Sequence, residues 1–173
     1  MEEVRNQNMA EPNHETVFKQ IYLRHYREIF LYCYHLTADR EESLDIAQDV
    51  FCKAYDEQRI GSPDFKVRPW LYRVARNECL LFFRKVRRWL REKTAYSLLS
   101  ESAEPSRDEE FLKINALLSR MPARYKSILY LKYFEEMSYE EIAESEEIPL
   151  GTVMSRLSRA KSIFKEVMEH GTL

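Results

Sequence analysis

From Val17 onward apolar side chains recur every three or four residues: Phe18, Ile21, Tyr22, Tyr26, Ile29, Phe30, Cys33 and Leu36. That spacing predicts an amphipathic helix. Thr37 or Asp39 can cap a second helix, with Glu42 placed to complete a capping box with Asp39 and a buried stripe of Leu44, Ala47, Phe51, Ala54 and Tyr55. Gly61, Ser62 and Pro63 interrupt the pattern, so 58–66 reads as a loop. A third helix follows, with Pro69 in its first turn and Trp70, Leu71, Val74, Ala75, Cys79 and Phe83 facing inward. It runs on, or restarts, through the basic stretch from Arg84 to Lys93.

Past that point the pattern changes character. Residues 1–14 are polar and read as a loose tail, 15–93 as a first helical domain, and 94–110, with serines, Pro105 and acids, as a flexible linker. Leu98 and Leu99 are the linker positions able to dock on a domain. Residues 111–173 read as a second domain. Its helical patterns run from about Glu109 to Arg120 and from Pro122 to Phe134, with a helix pair from Ser138. No useful strand-like alternation occurs. The fold class is therefore all-α: two small helical domains joined by a flexible linker, the second ending in a helix-turn-helix.

Composition narrows this further. The 173 residues include only three glycines, too few for a sheet-rich fold or for a glycine-rich phosphate loop. Hydrophobic residues make up 45 %, enough for a packed core. Cys33, Cys52 and Cys79 are too widely spaced for a zinc site and read as core thiols, and the four histidines form no compact ligand pair. We expect no metal, no cofactor and no catalytic constellation. With no signal-peptide pattern and no long apolar run, a cytoplasmic protein without membrane insertion is expected.

A net charge of −2 gives no hint of nucleic acid, but its distribution does. Lys66 to Lys93 holds ten basic residues against only Glu78 and Glu92, interleaved with Trp70, Tyr72, Phe82, Phe83 and Trp89. Cations that follow phosphates, mixed with rings that stack on unpaired bases, suit a single-strand binding surface. The rings can equally be core, and Trp70 and Phe83 fall on the inward stripe.

At the C-terminal end, Ser138 and Glu141 form a capping box ahead of SYEEIAESEE, and Ile148-Pro149-Leu150-Gly151 makes a turn. A second helix should start near Thr152, whose hydroxyl can cap it. Val153, Leu157, Ala160 and Phe164 form its inward stripe. Ser155, Ser158, Arg159 and Ser162 face outward, flanked by Met154 and Lys161 on one side and Arg156 on the other. Gly151 to Lys165 holds four basic residues and no acid, whereas Glu135 to Glu147 holds seven acids and no base. Such a helix suits the major groove; the competing reading is a helical hairpin with a solvated face.

FKVRPWLYRVARNECLLFFRKVRR resembles the promoter-melting region of bacterial sigma factors of the extracytoplasmic-function type, and LLSRMPARYKSILYLKYFEEMSYEEIAESEEIPLGTVMSRLSRAK resembles the same family's C-terminal helix-turn-helix domain. The resemblance implies an alternative sigma factor that brings RNA polymerase core enzyme to specific promoter DNA and is commonly controlled by an anti-sigma factor. It implies polymerase contact by Asp45, Gln48 and Asp49, which match D-x-x-Q-[DE]. It places the minus-10 strand along the loop from Arg59 to Lys66 and on Arg73 and Asn77, with Arg76, Arg84, Lys85, Arg87 and Arg88 beside them. Met154, Ser155, Ser158 and Arg159 should face the minus-35 element, with Thr152, Arg156 and Lys161 nearer phosphates. Glu147 departs from the glycine usual in that turn, where a positive φ would cost roughly 1 kcal/mol. The alternative function is a stand-alone helix-turn-helix regulator of duplex DNA, although no dimerising heptad is present.

Overall fold

The computed structural model describes residues 13–92, 117, 118 and 120–170, the side chains of 89–92 and 170 excepted. The described residues form six α-helices and no strand: α1 His14–Thr37, α2 Arg40–Asp56, α3 Val67–Glu92, α4 Ala123–Tyr133, α5 Tyr139–Glu146 and α6 Leu150–His170. The expected linker, 94–110, including Leu98 and Leu99, lies outside the described residues.

Helices α1, α2 and α3 pack together around Ile29, Tyr32, Cys33, Leu36, Ile46, Val50, Leu71, Ala75 and Cys79, all buried. Helices α4, α5 and α6 close around Ile128, Leu131, Met137, Ile142, Val153, Leu157 and Val167. The two groups touch through α3 against α5 and α1 against α4.

At the junction between α1 and α2, Asp39 and not Thr37 caps the second helix, and the expected capping box with Glu42 is not closed. Asp39 Oδ1 accepts the Glu42 amide at 3.0 Å, while the Asp39 amide donates to Thr37 Oγ1 at 3.2 Å, not to Glu42. Helix α2 is rotated from the expected stripe: Ile46 and Val50 are buried, Leu44 is half-buried, and Tyr55 is exposed against the rings of His14 and Phe18. Cys33 and Cys79 are buried, but Cys52 is exposed, which corrects the reading of all three as core thiols. Tyr72, read as a possible stacking ring, is wholly inside, edge-on to Tyr32 at 5.1 Å. Trp70 is buried as its position on the inward stripe predicts.

In the second domain the Ser138–Glu141 capping box is complete in both directions, at 3.1 and 2.8 Å. Helix α6 begins at Leu150, one half-turn before the expected start. Pro149 supplies the opening carbonyl, accepting the Thr152 amide at 2.8 Å, so Thr152 lies inside the first turn and is not its cap. Glu147 adopts φ 53° and ψ 45°, closing α5 with its amide on the Ala143 and Glu144 carbonyls. The left-handed turn is kept without glycine.

Candidate nucleic-acid and polymerase interfaces

The face of α6 turned away from its core carries Met154, Ser155, Ser158, Arg159, Lys161 and Ser162, all exposed. Ser155 and Ser162 return their hydroxyls to carbonyls one turn back, which leaves a low surface for close approach. Lys161 stands over the Tyr133 ring at 5.5 Å, and that hydroxyl raises its pKa. Thr152 is half-buried at the entrance to the helix. Arg156 turns away from this face: it lines a cavity of about 150 Å³ at the domain junction, with Arg76, Ser127 and Glu146.

The basic face of α3 is in a different condition. Arg73, Arg76, Asn77, Arg84, Arg87 and Arg88 follow one side of the helix by the 3.6-residue period, with Lys66 just before it and Lys85 on its flank. Arg84, Lys85, Arg87 and Arg88 are exposed. The N-terminal part meets α5 and the turns around it. Lys66 Nζ reaches Glu144 at 2.9 Å, and Arg68 Nη2 reaches the Glu135 carboxylate at 2.9 Å and its carbonyl at 2.6 Å. Arg73 lies 4.0 Å from Glu147. Arg76 bonds the Glu146 carbonyl, the Glu147 carboxylate at 3.3 Å and Asn77 Oδ1 at 3.0 Å, with the Glu146 carboxylate 3.4 Å away. Arg59 is held inside its own loop as a fork on Glu57, at 2.8 and 2.7 Å, and covers the Phe65 ring. This guanidinium holds the Glu57 carboxyl down at about 2.

Behind these contacts lies a buried polar chain that crosses between the domains. The Ser127 hydroxyl donates to the Glu146 carboxylate and accepts the Tyr32 hydroxyl at 2.7 Å. Beside it Lys126 Nζ donates to the Leu36 carbonyl at 2.9 Å. Glu146 is 3 % exposed, and burial raises its pKa against the lowering effects of Ser127 and Arg76. Burial pushes the Lys126 amine down to about 8. Nothing in the run ESEE distinguishes Glu146 from a solvated acid, so its burial escapes sequence reasoning.

On α2, Asp45, Gln48 and Asp49 are exposed together. Glu42 joins them one turn earlier, half-buried, its carboxyl raised by desolvation and by Asp39, with Asp45 and Asp49 adding to the effect. The spacing 42, 45, 49 is the signal that would have included it. Gln48 also borders an aromatic cleft of about 570 Å³ lined by Phe18, Tyr22, Tyr26, Phe51 and Tyr55. A second apolar groove, about 460 Å³, runs between α4 and α6 past Leu118, Leu129, Tyr133, Phe134, Phe164 and Met168. No group of metal-ligating side chains occurs among the described residues, and none of their helices is long and apolar enough to cross a membrane.

Residues 21–89 match the family profile for Sigma-70 region 2, and residues 111–163 that for Sigma-70, region 4. The chain belongs to the sigma-70 family. It is 28 % identical over 163 residues to the RNA polymerase sigma factor YlaC of Bacillus subtilis, covering 90 % of this chain and 94 % of that one. It is also 28 % identical over 153 residues to the ECF RNA polymerase sigma factor SigW of the same organism, covering 80 % and 82 %. Within the family it stands with the extracytoplasmic-function sigma factors. The fold matches the sigma factor RpoE of Bartonella quintana, solved with the anti-sigma factor NepR, with a TM-score of 0.76, 23 % identity and coverage of 88 % and 97 %. It also matches CnrH, solved with the cytosolic domain of CnrY, with a TM-score of 0.68, 19 % identity and coverage of 91 % and 90 %.

Proposed function

We propose that this chain, as an alternative sigma factor, directs RNA polymerase core enzyme to specific promoters through three separate surfaces. The single observation that carries this reading is their separation by charge. A basic face runs along α3, a polar face without acids along α6 from Gly151 to Lys165, and an acidic face along α2. Arg59, Lys66, Arg73, Arg76, Asn77, Arg84, Lys85, Arg87 and Arg88 take the minus-10 strand. Its melting is driven by binding unstacked bases, with no catalytic step of the chain's own. Met154, Ser155, Ser158 and Arg159 read the minus-35 duplex, and Thr152 and Lys161 meet its phosphates. Arg156 reaches phosphate only from the junction cavity it now lines. Asp45, Gln48 and Asp49 engage a basic surface on the polymerase.

In this reading 15–93 is the melting and polymerase-binding domain, 94–110 the linker and 111–173 the minus-35 domain, after a tail of 1–14. The chain works in the cytoplasm. An anti-sigma factor restrains it by covering the α2 acids and the apolar grooves; RpoE of Bartonella quintana, which shares the fold, was solved with an anti-sigma factor, NepR. Run-off transcription with purified core enzyme and fragmented genomic DNA from the native host tests the reading. Initiation at defined start sites is expected. Tight core binding without any initiation would overturn it.

A further inference from the structure

Cys33 of α1 and Cys79 of α3 are both wholly buried, and the proposed function uses neither. Helices α1 and α3 pack on each other, and Cys79 shares the wall of the junction cavity of about 150 Å³ with Leu36. Leu36 stands one turn beyond Cys33 on the same face of α1, so the two thiols meet across the helix pair. Burial pushes the Cys33 thiol up, and its contact with Cys79 adds to the shift. Cys33 is therefore the inner, protonated partner. Cys79 has a different setting. Arg76, Arg124 and Arg156 line the same cavity, with Glu146 as the opposing acid. Lys126 is a further cation beside it: burial lowers the pKa of this amine, and the Cys79 sulfur partly restores it. Positive charge together with access separates a reactive thiol from an inert core thiol. The cavity admits a molecule little larger than water and is too small for a tripeptide.

We propose that Cys79 and Cys33 form a peroxide-reactive dithiol, in which hydrogen peroxide entering the junction cavity oxidises Cys79 and Cys33 resolves it to a disulfide. The Cys79 thiolate attacks one peroxide oxygen, the O–O bond breaks, and the departing hydroxide takes up the proton that the thiol released. Cys79 is then a sulfenic acid. The Cys33 sulfur attacks the Cys79 sulfur, the S–O bond breaks, and hydroxide leaves with the Cys33 proton as water. The thiol pair has lost two electrons, and one hydrogen peroxide has become two waters. The new bond ties α1 to α3 and closes a loop holding the whole of α2 and the segment from Arg59 to Lys66. Oxidation thus braces the first domain and leaves its surface charge unchanged.

Treatment of the full chain with hydrogen peroxide, followed by denaturation, maleimide labelling and peptide mass spectrometry, tests the proposal. Cys52→Ser is the parent, because that exposed thiol would form bridges between molecules. The parent should lose both remaining thiols, yield one peptide pair linked through Cys33 and Cys79, keep its helical circular dichroism, and recover both thiols with dithiothreitol. In the parent carrying Cys33→Ala, Cys79 should stop at the sulfenic acid and be trapped by dimedone. In the parent carrying Cys79→Ala, Cys33 should stay reduced. Glutathione disulfide, too large for the cavity, should leave the pair reduced over the same interval. The linked-peptide measurement changes nothing in the core, so it decides the matter even where an alanine variant folds poorly. Two thiols still labelled after peroxide, or dimedone found on Cys33, would overturn the dithiol. Equal oxidation by glutathione disulfide, or a bridge formed only with loss of helix, would overturn it too, because the thiols would then react from an unfolded chain.

Discussion

The basic surfaces of α3 and α6 differ less in charge than in what stands opposite them. On α6, Ser155, Ser158, Arg159 and Lys161 open to solvent along a stretch without a single acid. On α3, Arg68, Arg73 and Arg76 lie against carboxylates of the second domain, and only the segment from Arg84 to Arg88 projects beyond them. The acidic helix α5 precedes α6 directly, yet Glu144, Glu146 and Glu147 turn toward α3. Counting cations along a helix therefore does not measure a binding surface. The neighbour that the fold brings to those cations does.

The largest test of that contrast is Arg76→Ala. It removes the guanidinium from a carboxylate that cannot reach water, and removing one partner of a buried pair costs roughly 3 kcal/mol. Urea unfolding at pH 7 should show that loss, whereas Arg159→Ala on the open face should leave stability within about 0.5 kcal/mol. The deficit at Arg76 should narrow as pH falls toward 5. The Glu146 carboxyl is raised in the folded state, so its contribution is present at acid pH and lost as pH rises through its folded pKa. A deficit independent of pH would mean that Glu146 does not carry the cost.

A second test uses the other buried ion at the junction. The Lys126 amine sits at about 8 when folded, against an ordinary value of 10.5, because burial disfavours its charged form. A depressed pKa of this kind lowers stability below the folded value and restores it as pH climbs toward the unfolded value. The wild type should gain about 2 kcal/mol from this group between pH 8 and pH 10. In Lys126→Met that gain should vanish. An equal gain in both proteins would place the titration elsewhere.

The sequence reveals these two surfaces unequally. The α6 face is legible because its signals are local: the Ser138 capping box, the turn at Pro149 and the stripe through Val153, Leu157 and Ala160 all lie within one supersecondary unit. The start of α6 is misjudged, because the Pro149 carbonyl does what Thr152 was expected to do, and so is Arg156, which turns into the junction cavity rather than toward the open face. The state of the α3 face is not legible, because it depends on contacts made about 70 residues away along the chain. Tyr72 shows the same limit: it alternates with arginines like a stacking ring, yet it packs against Tyr32 from another helix. At Glu147 the family resemblance, not the pattern, marks a turn that usually carries glycine, and the backbone adopts the left-handed conformation there without one.

A third test asks whether the two faces act independently. Arg159→Ala should weaken open-complex formation by the holoenzyme on a promoter found by run-off transcription, by about 1.5 kcal/mol or roughly tenfold. Combined with Glu146→Gln, the two effects should add within about 0.5 kcal/mol, because Arg159 stands on the exposed face of α6 and Glu146 is buried at the end of α5. A coupling larger than that would mean that Glu146 also positions the recognition helix, and the contrast between the surfaces would collapse.

The smallest expected effect falls on Lys161. Its ammonium stands over Tyr133, 5.5 Å from the ring centroid, at the edge of the exposed face. This position suits a phosphate contact that sets register without reading sequence. Lys161→Ala should weaken all duplexes alike, and only a few-fold at moderate salt. Its diagnostic is the salt dependence: the slope of log affinity against log salt should become shallower by about one. Tyr133→Phe keeps the ring but loses the hydroxyl that raises the Lys161 pKa, and should leave that slope unchanged because lysine stays charged at neutral pH. A weaker affinity with an unaltered slope in Lys161→Ala would make this lysine a packing partner of Tyr133 rather than a phosphate contact. The open face of α6 would then hold its duplex through Arg159 and the hydroxyls of Ser155 and Ser158.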